Sequence, residues 1–406
     1  MKLFIRSLLI LLAVLNTSNL YAQKQGQAAI DSMLRDIPKQ KEDTNKVNLL
    51  KSLSYSYYRA TNSDEGIKYG QQSLELATKL EWKKGVANAI NYLGLNYLNK
   101  GEYPKALENF QKSLKMQEEI KNKPGIANAT GNIGLVYIAT GDNTKALEYD
   151  EKALRIYEET GDKMAVARVT RNIASVYTAQ GDYPKALEDD FKALKIQEEI
   201  ADKDHIIMST IDIGSVYAYQ SDYPKALEYY FKALKMGEEA GDNLSISIVS
   251  ENIGNIYMYQ GDYPKALEYY FKALKGQEEI KDKVSIASSI ANIGEVYRRQ
   301  GDNSKALEYY FRALKMEEEI GDKRLIAIVT GNTGIVYENQ KNYTMAIENY
   351  RRSLKMNEET GDKHGIATNL SNIGACFLSI IMDTSAKSNR TNSTEPQERR
   401  YIGKRP

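Results

Sequence analysis

Residues Gly261–Lys275 read GDYPKALEYYFKALK, and this string returns along the chain. It stands at Gly181 as GDYPKALEDDFKALK, at Ser221 as SDYPKALEYYFKALK and at Gly301 as GDNSKALEYYFRALK. Weaker copies begin at Gly101, Gly141 and Lys341, each start lying 40 residues after the last. A fixed period of this size marks an array in which each repeat is one supersecondary unit.

Ser245–Val284 shows what one unit builds. Ile246, Val249, Ile253, Ile256 and Tyr257 follow helical spacing with one buried stripe. Gly261 ends that helix, and Asp262 caps the next by accepting a backbone N–H. Pro264 falls in the first turn, where a missing N–H costs nothing. Ala266, Leu267, Tyr270, Ala273 and Leu274 then share one face of a second helix. Each unit is therefore a helical hairpin.

The repeats form an internal register. One column reads Gly94, Gly134, Ala174, Gly214, Gly254, Gly294, Gly334 and Gly374. Glycine inside a helix costs roughly 0.5–1 kcal/mol against alanine, so its recurrence requires a close approach there. Three residues on, each copy is aromatic, from Tyr57 through Tyr337 to Phe377. Nine residues further stands a small residue, Gly66 and then Ala106 through Ala346. The expected packing is glycine against this small residue, with the tyrosine as a wedge.

The spacing Ile253-Gly254-x-x-Tyr257, Ala266, Tyr270, Ala273 resembles the tetratricopeptide repeat, over about Asn45 to Ile381. Two features depart from that family: the period is 40 rather than about 34, and the proline near the end of the second helix is missing. Extended repeats of this kind are similar to those of kinesin light chains and of bacterial regulators that bind signalling proteins. The resemblance implies an all-α fold, a right-handed α-solenoid of helical hairpins, in a bacterial secreted or periplasmic protein.

In order along the chain, Met1–Ala22 has Lys2 and Arg6 followed by the apolar run Leu8–Leu15, which reads as a secretory signal peptide. An uncleaved membrane tether is the alternative, and no later segment is expected to cross a membrane. Residues 23–44 form a polar lead-in with a short helix near Ala28–Asp36. Residues 45–84 are a degenerate first repeat, with Ser54 in the glycine column and Trp82 covering the junction. Residues 85–364 hold seven full repeats. Residues 365–382 form a lone capping helix that carries no charge, and so leave apolar surface for a homodimer contact. Residues 383–406 read as a disordered tail. The Glu-Glu pairs that end most second helices, such as Glu198-Glu199, oppose the helix dipole without visible compensation.

A net charge of +1 with 27% charged residues excludes a polybasic nucleic-acid or membrane surface. His205 and His364 lie four repeats apart and cannot share a site. Cys376 is the lone cysteine and reads as a small core residue. With no phosphate loop, HExxH motif or nucleophile elbow, the expectation is a non-enzyme without cofactor or metal. The aromatic runs at Tyr229, Tyr269 and Tyr309 recur in register and read as packing rather than base stacking.

In the family it resembles, the first helices line a concave groove, where residues that vary between repeats are free to bind. Those positions hold Arg168 and Arg171, then Met208, Ile211, Ser215 and Tyr219, then Ile248, Glu251, Asn255, Met258 and Tyr259. Glu295, Arg298 and Arg299 follow, then Glu338 and Asn339. A basic patch, an apolar and aromatic middle and a second charged patch suit an extended peptide or a helix. The expected function is a protein-interaction scaffold with a protein or peptide partner. The alternative is the sensory input region of a signalling protein lacking its output domain.

Overall fold

The computed structural model describes residues 22–60 and 62–392. The signal-peptide segment, apart from Ala22, lies outside the described residues, as do 393–406 of the expected tail. The described residues form two compact units, divided between Gln260 and Gly261. Among the described residues there is no strand.

In the first unit α1 (Ala22–Asp36) leads through a 3-10 turn at Ile37–Lys39 into α2 (Thr44–Arg59) and α3 (Ser63–Lys79). Then come α4 (Lys83–Asn99), α5 (Tyr103–Glu119), α6 (Lys123–Thr140), α7 (Asn143–Thr160) and α8 (Lys163–Gln180). The unit closes with α9 (Tyr183–Glu199), α10 (Lys203–Tyr219), α11 (Tyr223–Ala240) and α12 (Asn243–Gln260). In the second unit are α13 (Tyr263–Ile280), α14 (Lys283–Gln300), α15 (Asn303–Ile320), α16 (Lys323–Asn339), α17 (Tyr343–Thr360) and α18 (Lys363–Asn392). Within each unit, successive helices pack against one another as hairpins. This is the all-α array of helical hairpins that the 40-residue register requires.

The caps follow the sequence. Asp142, Asp182 and Asp222 each accept the backbone N–H three residues on, at 3.2, 3.4 and 3.3 Å. Gly141, Gly161, Gly181 and Gly241 close helices in the left-handed region, φ 65–79°. Lys121, Ala201, Ser221 and Lys341 hold the same corner at φ 50–63° without glycine's freedom. Trp82 packs with Val47, Leu50, Leu76 and Ala77 at the end of the first repeat.

The glycine column does something other than expected. An added Cβ at Gly94 would stand 2.6 Å from the ring of Phe110, and at Gly214 2.7 Å from Tyr230. At Gly294 and Gly334 it would stand 2.8 and 2.7 Å from Tyr310 and Tyr350. The glycine therefore makes room for a buried ring sixteen residues later, not for the alanine twelve residues later. Small meets large because the ring crosses beneath the first helix.

The tyrosine three residues after the glycine stacks on the second helix of its own hairpin. Tyr137 meets Tyr149 at 5.5 Å, Tyr217 meets Tyr229 at 5.6 Å and Tyr297 meets Tyr309 at 5.4 Å. Lys145, Lys225 and Lys305 lie 4.9–5.0 Å over the first ring of each pair. Each stack contributes about 0.5–1.5 kcal/mol beyond its burial.

The Glu-Glu pairs also find their reason. Lys123, Lys163 and Lys323 open first helices and reach Glu159, Glu199 and Glu359 at 3.0, 2.9 and 2.7 Å. The neighbouring glutamates Glu158 and Glu318 pair with Lys192 and Arg352 of the next second helix. These exposed pairs contribute about 0–1 kcal/mol each, enough to offset the dipole cost.

α18 runs through Met382 to Asn392, so residues 383–392 continue the helix instead of starting a disordered tail. From Ala375 to Asn392 the sequence holds no glycine or proline to break it. Residues 363–385 are long and apolar enough by length and composition to cross a membrane, and only 11% of the apolar stretch is buried. That corrects the expectation that no segment after the N-terminal one qualifies. One face of α18 packs on the second unit's core, where Cys376 is fully buried with Ala346 and Tyr350. Burial pushes the Cys376 thiol up to about 11.

Candidate partner-binding face

First helices of neighbouring repeats touch directly, α6 with α8 and α10 with α12 in the first unit, α14 with α16 in the second. Their contact has its own register. The residue three before the glycine column meets the residue two before it in the next repeat. Asn132 Nδ2 donates to Asn91 Oδ1 at 3.1 Å, and Arg171 Nε donates to Asp212 Oδ2 at 2.9 Å. Arg171 is thus held in an ion pair, its side chain 18% exposed, and does not contribute a free charge.

Arg168, one turn earlier on α8, lies 5.9 Å over the Tyr157 ring and donates to the Tyr157 hydroxyl at 3.3 Å. That hydroxyl donates in turn to Asn128 Oδ1 at 2.8 Å. Among the described residues no carboxylate forms an ion pair with Arg168. Met208 and Tyr219 on α10 are half-buried. Tyr219 stacks on Tyr183 at 6.3 Å, and burial raises its hydroxyl pKa. Glu251 and Tyr259 on α12 are also half-buried.

Four expected groove residues are not accessible. Ile211 is 3% exposed, because its position is the one where neighbouring first helices meet. Asn255 is 9% exposed and shares the register of Ser215, which lies buried 3.0 Å from the Tyr230 hydroxyl. Met258 is buried as well.

In the second unit the charges neutralise one another. Arg298 forks onto Glu295 at 2.7 and 2.6 Å, Arg299 Nε reaches the same carboxylate at 2.7 Å, and the Tyr310 hydroxyl donates to it at 2.8 Å. Burial pushes the Glu295 carboxyl up, but these guanidiniums outweigh it and hold the group below its ordinary value. Glu338 accepts from the Tyr350 hydroxyl at 2.6 Å. Arg299 and Asn339 are exposed.

Reading the first helices alone misses two aspartates. Asp150 and Asp190 stand where Tyr230, Tyr310 and Tyr350 fill the space beneath the first helix. Asp150 is fully buried, neither carboxylate oxygen has a hydrogen-bond partner, and Oδ1 lies 2.5 Å from where a Gly134 Cβ would be. Burial pushes its carboxyl up to about 8, opposed by the charge of Arg168. Asp190 is raised by burial and by Asp212, with Arg171 opposing. The signal is present in the register, as two departures from an aromatic column.

His205 pairs locally with the capping Asp202, its Nδ1 2.9 Å from Asp202 Oδ1. Among the described residues no group of three His, Cys, Asp or Glu side chains could hold a metal ion.

This geometry defines a class, an array of helical hairpins of the kind that presents surfaces to partners. Family models described as tetratricopeptide repeat match residues 45–119, 85–159, 165–239 and 245–319, and another matches 292–359. The chain belongs to the tetratricopeptide repeat family. Its fold is similar to that of a Rap protein complexed with competence and sporulation factor, at 18% identity, TM-score 0.56, over 84% of this chain and 95% of that one. It is similar to aspartyl phosphate phosphatase F from Bacillus subtilis, at 15% identity, TM-score 0.55, over 82% and 94%. The apo form of the quorum sensor NprR from B. thuringiensis matches at 14% identity, TM-score 0.50, over 87% and 99%. At these identities the likeness is one of fold. No curated protein matches the chain.

Proposed function

We propose that this protein is an exported, non-enzymatic scaffold that binds a protein or peptide on the first-helix face of α8, α10 and α12. The observation that carries the reading is Arg168, a guanidinium positioned by Tyr157 that among the described residues forms no ion pair. Beside it in the register stand the half-buried Met208, Tyr219, Glu251 and Tyr259. Arginine and aromatic side chains of this kind are the usual anchors of an interface. An acidic group on the partner pairs with Arg168, and its apolar residues rest on Met208 and Tyr219. Arg299 and Asn339 offer a separate contact in the second unit.

The fold neighbours support a partner of this class, since one is a complex with competence and sporulation factor and another is a quorum sensor. Export rests on Met1–Ala22, and cell fractionation tests it: the mature chain belongs outside the cytoplasm. Self-association through α18 completes the proposal.

The test is capture of partners from the periplasmic fraction by the native chain, compared with Arg168→Glu and Tyr219→Ala. Loss of the same captured species in both variants, with helicity unchanged, supports the face. Undiminished capture by both overturns it.

A further inference from the structure

In α4–α5, α6–α7, α8–α9, α10–α11, α14–α15 and α16–α17 a first helix is followed by a second helix that packs on it. Among the described residues no helix follows α18. Its buried face, carrying Cys376, lies on the second unit's core. The opposite face is the one that carries the second helix in other hairpins. There Leu370, Phe377, Leu378, Ile381 and Met382 are 46–69% exposed.

The slot at the centre of this face is open. Gly94, Gly214, Gly294 and Gly334 are each filled by a ring, whereas among the described residues a Cβ added at Gly374 would meet nothing within 4 Å. One turn away stands Phe377, an exposed ring with no slot of its own. Leu370, Gly374, Phe377 and Ile381 follow a four-three-four spacing, the seam of a helix pair.

We infer that a second copy of this chain covers that face, its α18 running antiparallel so that each Phe377 enters the Gly374 slot of the other. A two-fold axis makes such a contact self-complementary. The same register sets Leu370 of one copy against Ile381 of the other, and both pairs occur twice. No charged residue lies between Gly365 and Met382 to oppose the contact. The hole and the knob are on one helix, three residues apart, which is what lets one surface serve both sides. This rests on the self-association proposed above and specifies its register.

The experiment is the mass in solution of the full chain by light scattering, with circular dichroism as a check on folding. The native chain runs as a dimer, and Phe377→Ala and Gly374→Phe each run as monomers. The double variant carrying Gly374→Phe and Phe377→Ala exchanges knob and hole within the same register, and returns to a dimer. A monomeric native chain overturns self-association altogether. A native monomer that floats with phosphatidylcholine–phosphatidylglycerol vesicles assigns the face to a membrane instead. A dimer that survives Phe377→Ala keeps self-association but overturns this register.

Discussion

Replacing Asp150 with asparagine removes a buried ionisable group from a site built for a tyrosine ring. Folding lifts the Asp150 carboxyl from its ordinary 3.8 to about 8, chiefly through burial. Well below pH 4 the carboxyl is protonated in both folded and unfolded chains and nothing is lost. Between pH 4 and 8 the folded chain holds a proton that the unfolded chain releases, so stability falls as pH rises. At about 1.4 kcal/mol per pH unit, the interval to about 8 corresponds to roughly 5 kcal/mol for this fully buried group. Asparagine has the shape of the protonated acid and leaves the same polar atoms unpaired. Their cost, about 1–3 kcal/mol, is common to both and cancels. Asp150→Asn therefore stabilises the array by about 3–5 kcal/mol at pH 8 and by less than about 1 kcal/mol at pH 4. The groups facing Asp150 are a guanidinium, Arg168, and a phenol, Tyr157, so the slope in this window belongs to carboxylates. Urea unfolding followed by circular dichroism across this pH range reads both the gain and the slope. Asp190 and Glu317, raised by burial in the same way, keep part of the native slope, so the variant loses about one proton's worth. An unchanged slope, or an equal effect at both pH values, shows that the buried Asp150 charge is not its origin.

Further outcomes follow from the same packing. Gly214→Ala drives a methyl to within 2.7 Å of the Tyr230 ring and lowers stability by about 1–3 kcal/mol. Gly131→Ala finds only the Ala153 Cβ, at 3.6 Å, and raises stability by about 0.5–1 kcal/mol; denaturant titration of both separates the two glycine roles. Ala201→Gly relieves a left-handed residue at φ 55° and raises the melting midpoint, with a gain of about 1 kcal/mol. Arg171→Ala leaves Asp212 unpaired beside Asp190. It costs about 2 kcal/mol at neutral pH, less than a fully buried pair would because both side chains are about a fifth exposed. Urea titration at neutral pH reads that deficit.

The hairpins, their caps and their period are legible because each rests on neighbours in the sequence. Gly261, Asp262 and Pro264 announce a turn between helices without help from tertiary contacts. The glycine column announces a close approach but not its partner, because the ring that fills the slot belongs to another helix. Tyr230, sixteen residues after Gly214, is as remote in the pattern as Ala226, and only three dimensions choose between them. The Glu-Glu pairs stay opaque for the same reason, since Lys163 and Glu199 lie 36 residues apart. On the binding face, helical phase puts Ile211 and Arg171 on the first helices. It cannot tell that the next first helix approaches closely enough to bury one and pair the other. Asp150 and Asp190 are readable from the aromatic column itself.

All of the functional reading turns on partners being received by the first helices. A photo-activated cross-linking residue placed at Met208, half-buried on α10, can be set against one placed at Phe231, 38% exposed on the second helix α11. With the chain expressed in its source organism, position 208 is expected to give a specific adduct that Arg168→Glu abolishes, and position 231 none. An adduct formed from 231 alone would place the partner on the second helices and contradict the proposal.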